Sequence, residues 1–102
     1  MTFDTEFAKK LPGRSILIGV NVLNSDGKVV SQEQLHGLIK SATKSDGILV
    51  LLNGSFLGKE WKMPPDTSCI KVADPGEYNL KATDEVIKNP DFMCSWEIHR
   101  TN

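Results

Sequence analysis

QLHGLIKSATKSDGILVLLNG, residues 34–54, is the stretch whose reading decides the fold. Leu35, Leu38 and Ile39 lead in, Lys44-Ser45-Asp46-Gly47 supplies turn chemistry, and Ile48-Leu49-Val50-Leu51-Leu52 returns as an unbroken apolar run. A run this short, held between Asp46-Gly47 and Asn53-Gly54, cannot support a free-standing helix and suits a strand covered on both faces. Two long strands joined by a tight polar turn are therefore expected, with the rest of the chain packed around them. Gly37 marks the point where the first of the two would coil, letting one strand serve two sides of a barrel.

Outward from this hairpin the pattern stays β. Upstream, Ile16, Ile18, Val20 and Val22 alternate with Ser15, Leu17, Gly19, Asn21 and Leu23, the period of a half-buried strand. Gly19, bare in mid-strand, suggests a bend or the close approach of another backbone. Asn24-Ser25-Asp26-Gly27 is a turn, Lys28-Val29-Val30 a short strand, and Ser31 to Gln34 the approach to the second long strand. Downstream, Asn53-Gly54 is a hairpin signal, Glu60 to Met63 a strand stopped by Pro64-Pro65, and Cys69 to Ala73 another. Glu77 to Lys81 and Glu85 to Ile87 flank a turn at Ala82-Thr83-Asp84, and Asn89-Pro90-Asp91 leads into the final strand. There Phe92, Cys94, Trp96 and Ile98 face one way, and Met93, Ser95, Glu97 and His99 the other. At the N-terminus Phe3, Phe7 and Leu11 recur every four residues, a short helix ended by Pro12-Gly13 that would cap one end of the core.

These readings predict an all-β chain: a small barrel, preferred over a sandwich, of about six to eight short antiparallel strands with a short N-terminal helix. At 102 residues it is expected to be one domain, 1–102, with 1–12 as a helical lid or arm and 13–102 as the barrel. The formal net charge of −1 gives no general attraction to polyanions, and the twelve Lys and Arg are spread along the chain. The polar, mixed-charge N-terminus has neither the apolar core of a signal peptide nor a spanning run, which predicts a cytoplasmic protein with no membrane association. Cys69 and Cys94 then read as reduced thiols.

The order of elements resembles SH3-like small barrels: a strand, a variable polar loop, a glycine-bearing strand at His36-Gly37-Leu38-Ile39, a tight turn, an apolar strand, then Pro-Pro-Asp. It is also similar to small bacterial domains with a G-x-I strand, a G-I-x-L-x-L strand, Pro-Pro-Asp and P-G-E-Y, here Gly37 to Ile39, Gly47 to Leu52, Pro64 to Asp66 and Pro75 to Tyr78. The resemblance implies a fold and carries no catalytic residue across. The aromatic and acidic set with which SH3 domains grip proline-rich peptides is not matched in this chain.

Candidate chemistry is sparse. His36, His99, Cys69 and Cys94 are zinc-type donors without the close spacing that zinc motifs use, and no metal ion or other cofactor is expected. Asp26, Asp46, Asp66, Asp74, Asp84 and Asp91 all sit at turns, which explains each of them without acid–base work. No phosphate loop or G-x-S-x-G is present, so no catalytic residue is assigned; a small hydrolase or metal-dependent enzyme stands behind the other readings. The stretch that reads as a contact surface is Phe56 to Met63, in which Phe56, Leu57, Lys59, Trp61 and Lys62 combine aromatic, apolar and cationic side chains. The expected function is an interaction module holding a protein partner through this loop. The alternative is a barrel binding single-stranded nucleic acid through Lys40, Lys44, Lys59 and Lys62 with Phe56 and Trp61. The oligomeric state is left open.

Overall fold

The computed structural model describes residues 2–80 and 84–99. Lys81, Ala82 and Thr83, where the sequence ends one strand and turns into the next, lie outside the described residues. The described chain forms a helical turn, α1 (Thr5–Ala8), and eight strands: β1 (Ser15–Leu23), β2 (Val29–Thr43), β3 (Gly47–Leu52), β4 (Glu60–Met63), β5 (Lys71–Val72), β6 (Glu77–Leu80), β7 (Glu85–Lys88) and β8 (Phe92–His99). Six of them form one sheet in the order β4-β3-β2-β1-β8-β5, and β6-β7 is a separate hairpin.

The expected central hairpin is present as β2 and β3, paired antiparallel from Thr43 opposite Gly47 to Gly37 opposite Leu52. β2 is longer than expected. Lys28-Val29-Val30 and the approach to the second strand merge into one continuous element, whose first part pairs with β1 and whose last part pairs with β3. Gly37 belongs to both ladders, opposite Ile16 and opposite Leu52, and a bulge follows between Ile39 and Ser41. A Cβ there would strike the Leu51 carbonyl oxygen and lie 2.8 Å from its carbon. Glycine is thus demanded by backbone approach where the strand changes partner.

Two expectations are corrected. The sheet coils but does not close into a barrel: it ends at β4 and β5. Neither edge can extend a ladder, because Pro64-Pro65 stops β4 and β5 pairs only at Lys71 and Val72 before Asp74-Pro75-Gly76. Side chains span the gap instead, with Met63 of β4 against Cys94 and Trp96 of β8. The strands are also not uniformly antiparallel, since β1 and β8 run parallel from Ile16 opposite Phe92 to Leu23 opposite His99.

Alternation sorts the two faces of the sheet. On the inner face Ile16, Ile18, Leu35, Ile39, Ile48, Val50, Met63 and Cys94 join one core cluster. Leu11 enters it fully buried, a burial that contributes roughly 1.5–3 kcal/mol. The α1 segment caps this core as the Phe3/Phe7/Leu11 spacing suggests, but its helix is a single turn N-capped by Asp4. Phe7 meets Phe92 edge to face at 5.6 Å, and the Thr67 hydroxyl accepts from the Asp4 amide at 2.9 Å.

Candidate functional site

Register places Leu17, Gly19 and Asn21 of β1 beside His36, Gln34 and Gln32 of β2, and beside Met93, Ser95 and Glu97 of β8. These residues share the outer face of the sheet, which Leu38, Leu51, Glu60 and the Leu49–Lys62 pair continue across β2, β3 and β4. The β6–β7 hairpin touches this face near Leu17 and Met93, enclosing a small cleft of about 250 Å³ with Tyr78 and Leu80. That contact buries Leu17, which strand alternation had put on the polar side.

A latch ties the hairpin to the sheet. His36 Nε2 donates to Glu85 Oε2 at 2.7 Å, with both side chains largely shielded from water. Gly54, at the start of the 3-10 turn Gly54–Phe56, presses its backbone against this pair. The Asn53 amide also donates to the His36 carbonyl at 2.8 Å. The Asn53-Gly54 signal is therefore spent on a longer loop: Leu52 N donates to Lys59 O, and the intervening residues wrap over His36 rather than forming a two-residue hairpin.

On one side of the hairpin lies an open cleft of about 670 Å³ with Gly19 as part of its lining, alongside Asn21, Gln32, Gln34 and Ser95. No backbone crowds Gly19, since an added Cβ would meet only Ser95 Oγ at 3.9 Å, so close approach of another backbone does not account for that glycine. Its bareness opens the cleft. The lining mixes neutral amide and hydroxyl groups with the apolar side chains of Val29 and Val30, and Glu33 is its ionisable member.

On the other side the outer face is apolar. Leu38 and Leu51 lie directly opposite each other and are 46% and 42% exposed. The Phe56 to Met63 stretch divides around this face. Phe56 and Trp61 pack, half-buried, against the core cluster, and Trp61 shares the inner face with Met63 because it lies opposite Val50. Leu57 is 75% exposed on the loop, and Lys59 and Lys62 are exposed without an ion pair among the described residues. Lys40 is held by Glu60 at 3.3 Å, and Lys44 is exposed in the β2–β3 turn.

The zinc-type donors do not assemble. His36 is on the outer face with Glu85, His99 ends β8 exposed, and no group of three His, Cys, Asp or Glu suited to a metal occurs among the described residues. The two cysteines do meet, as free thiols. Donation from the Cys94 thiol to Cys69 once it ionises holds the Cys69 pKa below its usual value, outweighing burial and the nearby Asp66 charge. The same bond, together with burial, drives Cys94 far up, so Cys69 ionises first. With a lowered pKa the Cys69 thiolate is populated at pH values where an unperturbed thiol is still protonated. Iodoacetamide is therefore expected to modify Cys69 with its pH midpoint below that of an ordinary thiol and to leave Cys94 largely intact, as read by mass spectrometry of timed digests. Equal rates at the two cysteines would refute the assignment.

Compared with protein-family models, curated proteins and solved structures, the chain matches none. No helix among the described residues is long and apolar enough to cross a membrane.

Sequence reading did not find the His36–Glu85 pair, whose members are 49 residues apart with no local signal. The Leu38–Leu51 pair carried a usable one. Counting outward from the Lys44-Ser45-Asp46-Gly47 turn pairs the two leucines, once the bulge at Ile39/Ser41 is allowed for.

Proposed function

We propose that this chain is a non-catalytic binding module that holds an acidic segment of a protein partner on the outer face of β2, β3 and β4. The observation that carries this reading is the exposed Leu38–Leu51 cross-strand pair, set on paired strands with the exposed Lys62 on the same face and the exposed Leu57 and Lys59 in the loop that leads into β4. An apolar centre with a polar rim is the usual anatomy of a protein interface, and rim lysines without an internal counter-ion favour carboxylates opposite them. A patch of this kind on a well-ordered sheet needs little ordering on binding.

This reading keeps Leu57, Lys59 and Lys62 from the sequence-derived surface and reassigns Phe56 and Trp61 to its support. Stacking on single-stranded nucleic acid needs aromatic faces open to bases. Phe56 and Trp61 are packed on the core, which favours a protein partner over nucleic acid.

The test is co-purification from the host with identification by mass spectrometry, followed by titration of the captured partner. Leu51→Glu and Lys62→Glu are each expected to weaken binding about thirty-fold, the effect of losing a contact worth about 2 kcal/mol. Val86→Glu, at an exposed position on the β6–β7 hairpin, should leave binding unchanged. Equal loss in all three variants, or a tryptophan signal that titrates with single-stranded RNA at low salt, would overturn the reading.

A further inference from the structure

Three sulfur atoms from separate segments converge at the end of the core left open by the unclosed sheet. Met63 comes from β4, Cys94 from β8, and Cys69 from the turn just before β5, in which Ile70 N donates to Thr67 O. Because Lys71 lies opposite Met93 and Val72 opposite Phe92, the chain before β5 runs up alongside Cys94. Cys94 Sγ donates to Met63 Sδ at 3.7 Å, and Cys69 packs against the same core cluster with its thiol within reach of Cys94. Met63 is fully buried and Cys94 is 5% exposed, while Cys69 is half-buried and makes the opening to solvent. The Trp96 indole N–H donates to Met63 Sδ at 3.2 Å, fixing the thioether in place.

We propose that Cys69, Cys94 and Met63 form a binding site for one copper(I) ion. A soft, monovalent cation matches a donor set of two thiolates and a thioether, whereas a structural zinc site takes four donors and no group of three His, Cys, Asp or Glu gathers among the described residues. A metal about 2.3 Å from each of three sulfurs in a trigonal plane sets them roughly 4 Å apart, close to the Cys94–Met63 separation already in place. The Cys94 thiol proton, now directed at Met63 Sδ, occupies the space that the ion would fill. On binding, the two thiols release their protons to solvent, two Cu–thiolate bonds and one Cu–thioether bond form, and copper remains in the +1 state throughout. The Asp66 carbonyl, which accepts from Cys69 Sγ at 3.4 Å, loses that hydrogen bond.

The experiment is anaerobic titration of the reduced full chain with the coloured copper(I)–bicinchoninate complex. The expected result is transfer of one copper per chain and an all-sulfur shell at about 2.3 Å by X-ray absorption. Cys69 should also be protected from iodoacetamide in the loaded protein. Cys69→Ser, in a surface turn where folding is least at risk, is expected to weaken competition with the chelator by at least tenfold, an effect of about 1.4 kcal/mol. Met63→Leu, which keeps the core filled, should remove one sulfur from the shell. Failure to take copper from the chelator, unchanged alkylation of Cys69 after loading, or undiminished affinity in Cys69→Ser would each overturn the proposal.

Discussion

Gly37→Ala is expected to destabilise the protein by about 3 kcal/mol or more, a large part of the roughly 5–15 kcal/mol that a domain of this size possesses. The new methyl group would fall on the Leu51 carbonyl oxygen and come within 2.9 Å of Leu52 Cα. These are backbone atoms of a strand paired on both sides, so they cannot rotate aside as a side chain can. Relief requires β2 and β3 to part at the position where β2 also pairs with Ile16 of β1. Gly19→Ala is the control, because its methyl group makes only an ordinary van der Waals contact with Ser95 Oγ and removes the entropic cost of glycine in a strand. That variant should match or exceed the parent by a few tenths of a kcal/mol up to about 1 kcal/mol. Urea denaturation of the three proteins measures both effects, and similar midpoints for the two alanine variants would refute the close approach at Gly37.

Gly54→Ala should be the next most damaging change, at about 2–3 kcal/mol, for two separable reasons. Its φ of +67° lies in the left-handed region, where any L side chain costs about 1–2 kcal/mol. The added Cβ would also collide with Glu85 Oε2 and approach His36 Nε2 to 2.6 Å, so the latch must open or the loop must lift. If the latch opens, the β6–β7 hairpin loses this polar tie to the sheet and retains its apolar contact through Leu80, which is 1% exposed. Amide exchange across β6 and β7 should then accelerate selectively while the six-stranded sheet keeps its protection. A double-mutant cycle separates the two causes. In a Glu85→Ala background the collision with the carboxylate is gone while the backbone cost and the approach to His36 remain, so a coupling of about 1 kcal/mol between positions 54 and 85 is expected. Strict additivity would mean that the carboxylate swings aside without cost.

Strand content was legible because its signals are local. Alternation in Ser15–Leu23 and Phe92–His99, and turn chemistry at Asn24 to Gly27 and Lys44 to Gly47, act over a few residues and were read correctly. Glu60 to Met63 emerged with the bounds its Trp61/Met63 spacing implied. The candidate surface was legible only in part. Composition brought out Phe56 and Trp61 beside Lys59 and Lys62, but strand alternation on β4 turns Trp61 inward and Lys62 outward. The apolar centre of the surface came from Leu38 and Leu51, the latter in a run read as covered on both faces.

From its own sequence this chain determined that it is β-rich and that residues 34–54 hold a hairpin. Both follow from periodicity and turn preference, whereas the demand for glycine at position 37 comes from the approach of the Leu51 and Leu52 backbone. Tertiary structure alone decided that the sheet stays open, that β1 and β8 run parallel, that a histidine meets a glutamate across the outer face, and that three sulfurs gather at the open end. Those outcomes depend on register and coil, which all the strands set together, and no neighbouring pair of residues encodes them.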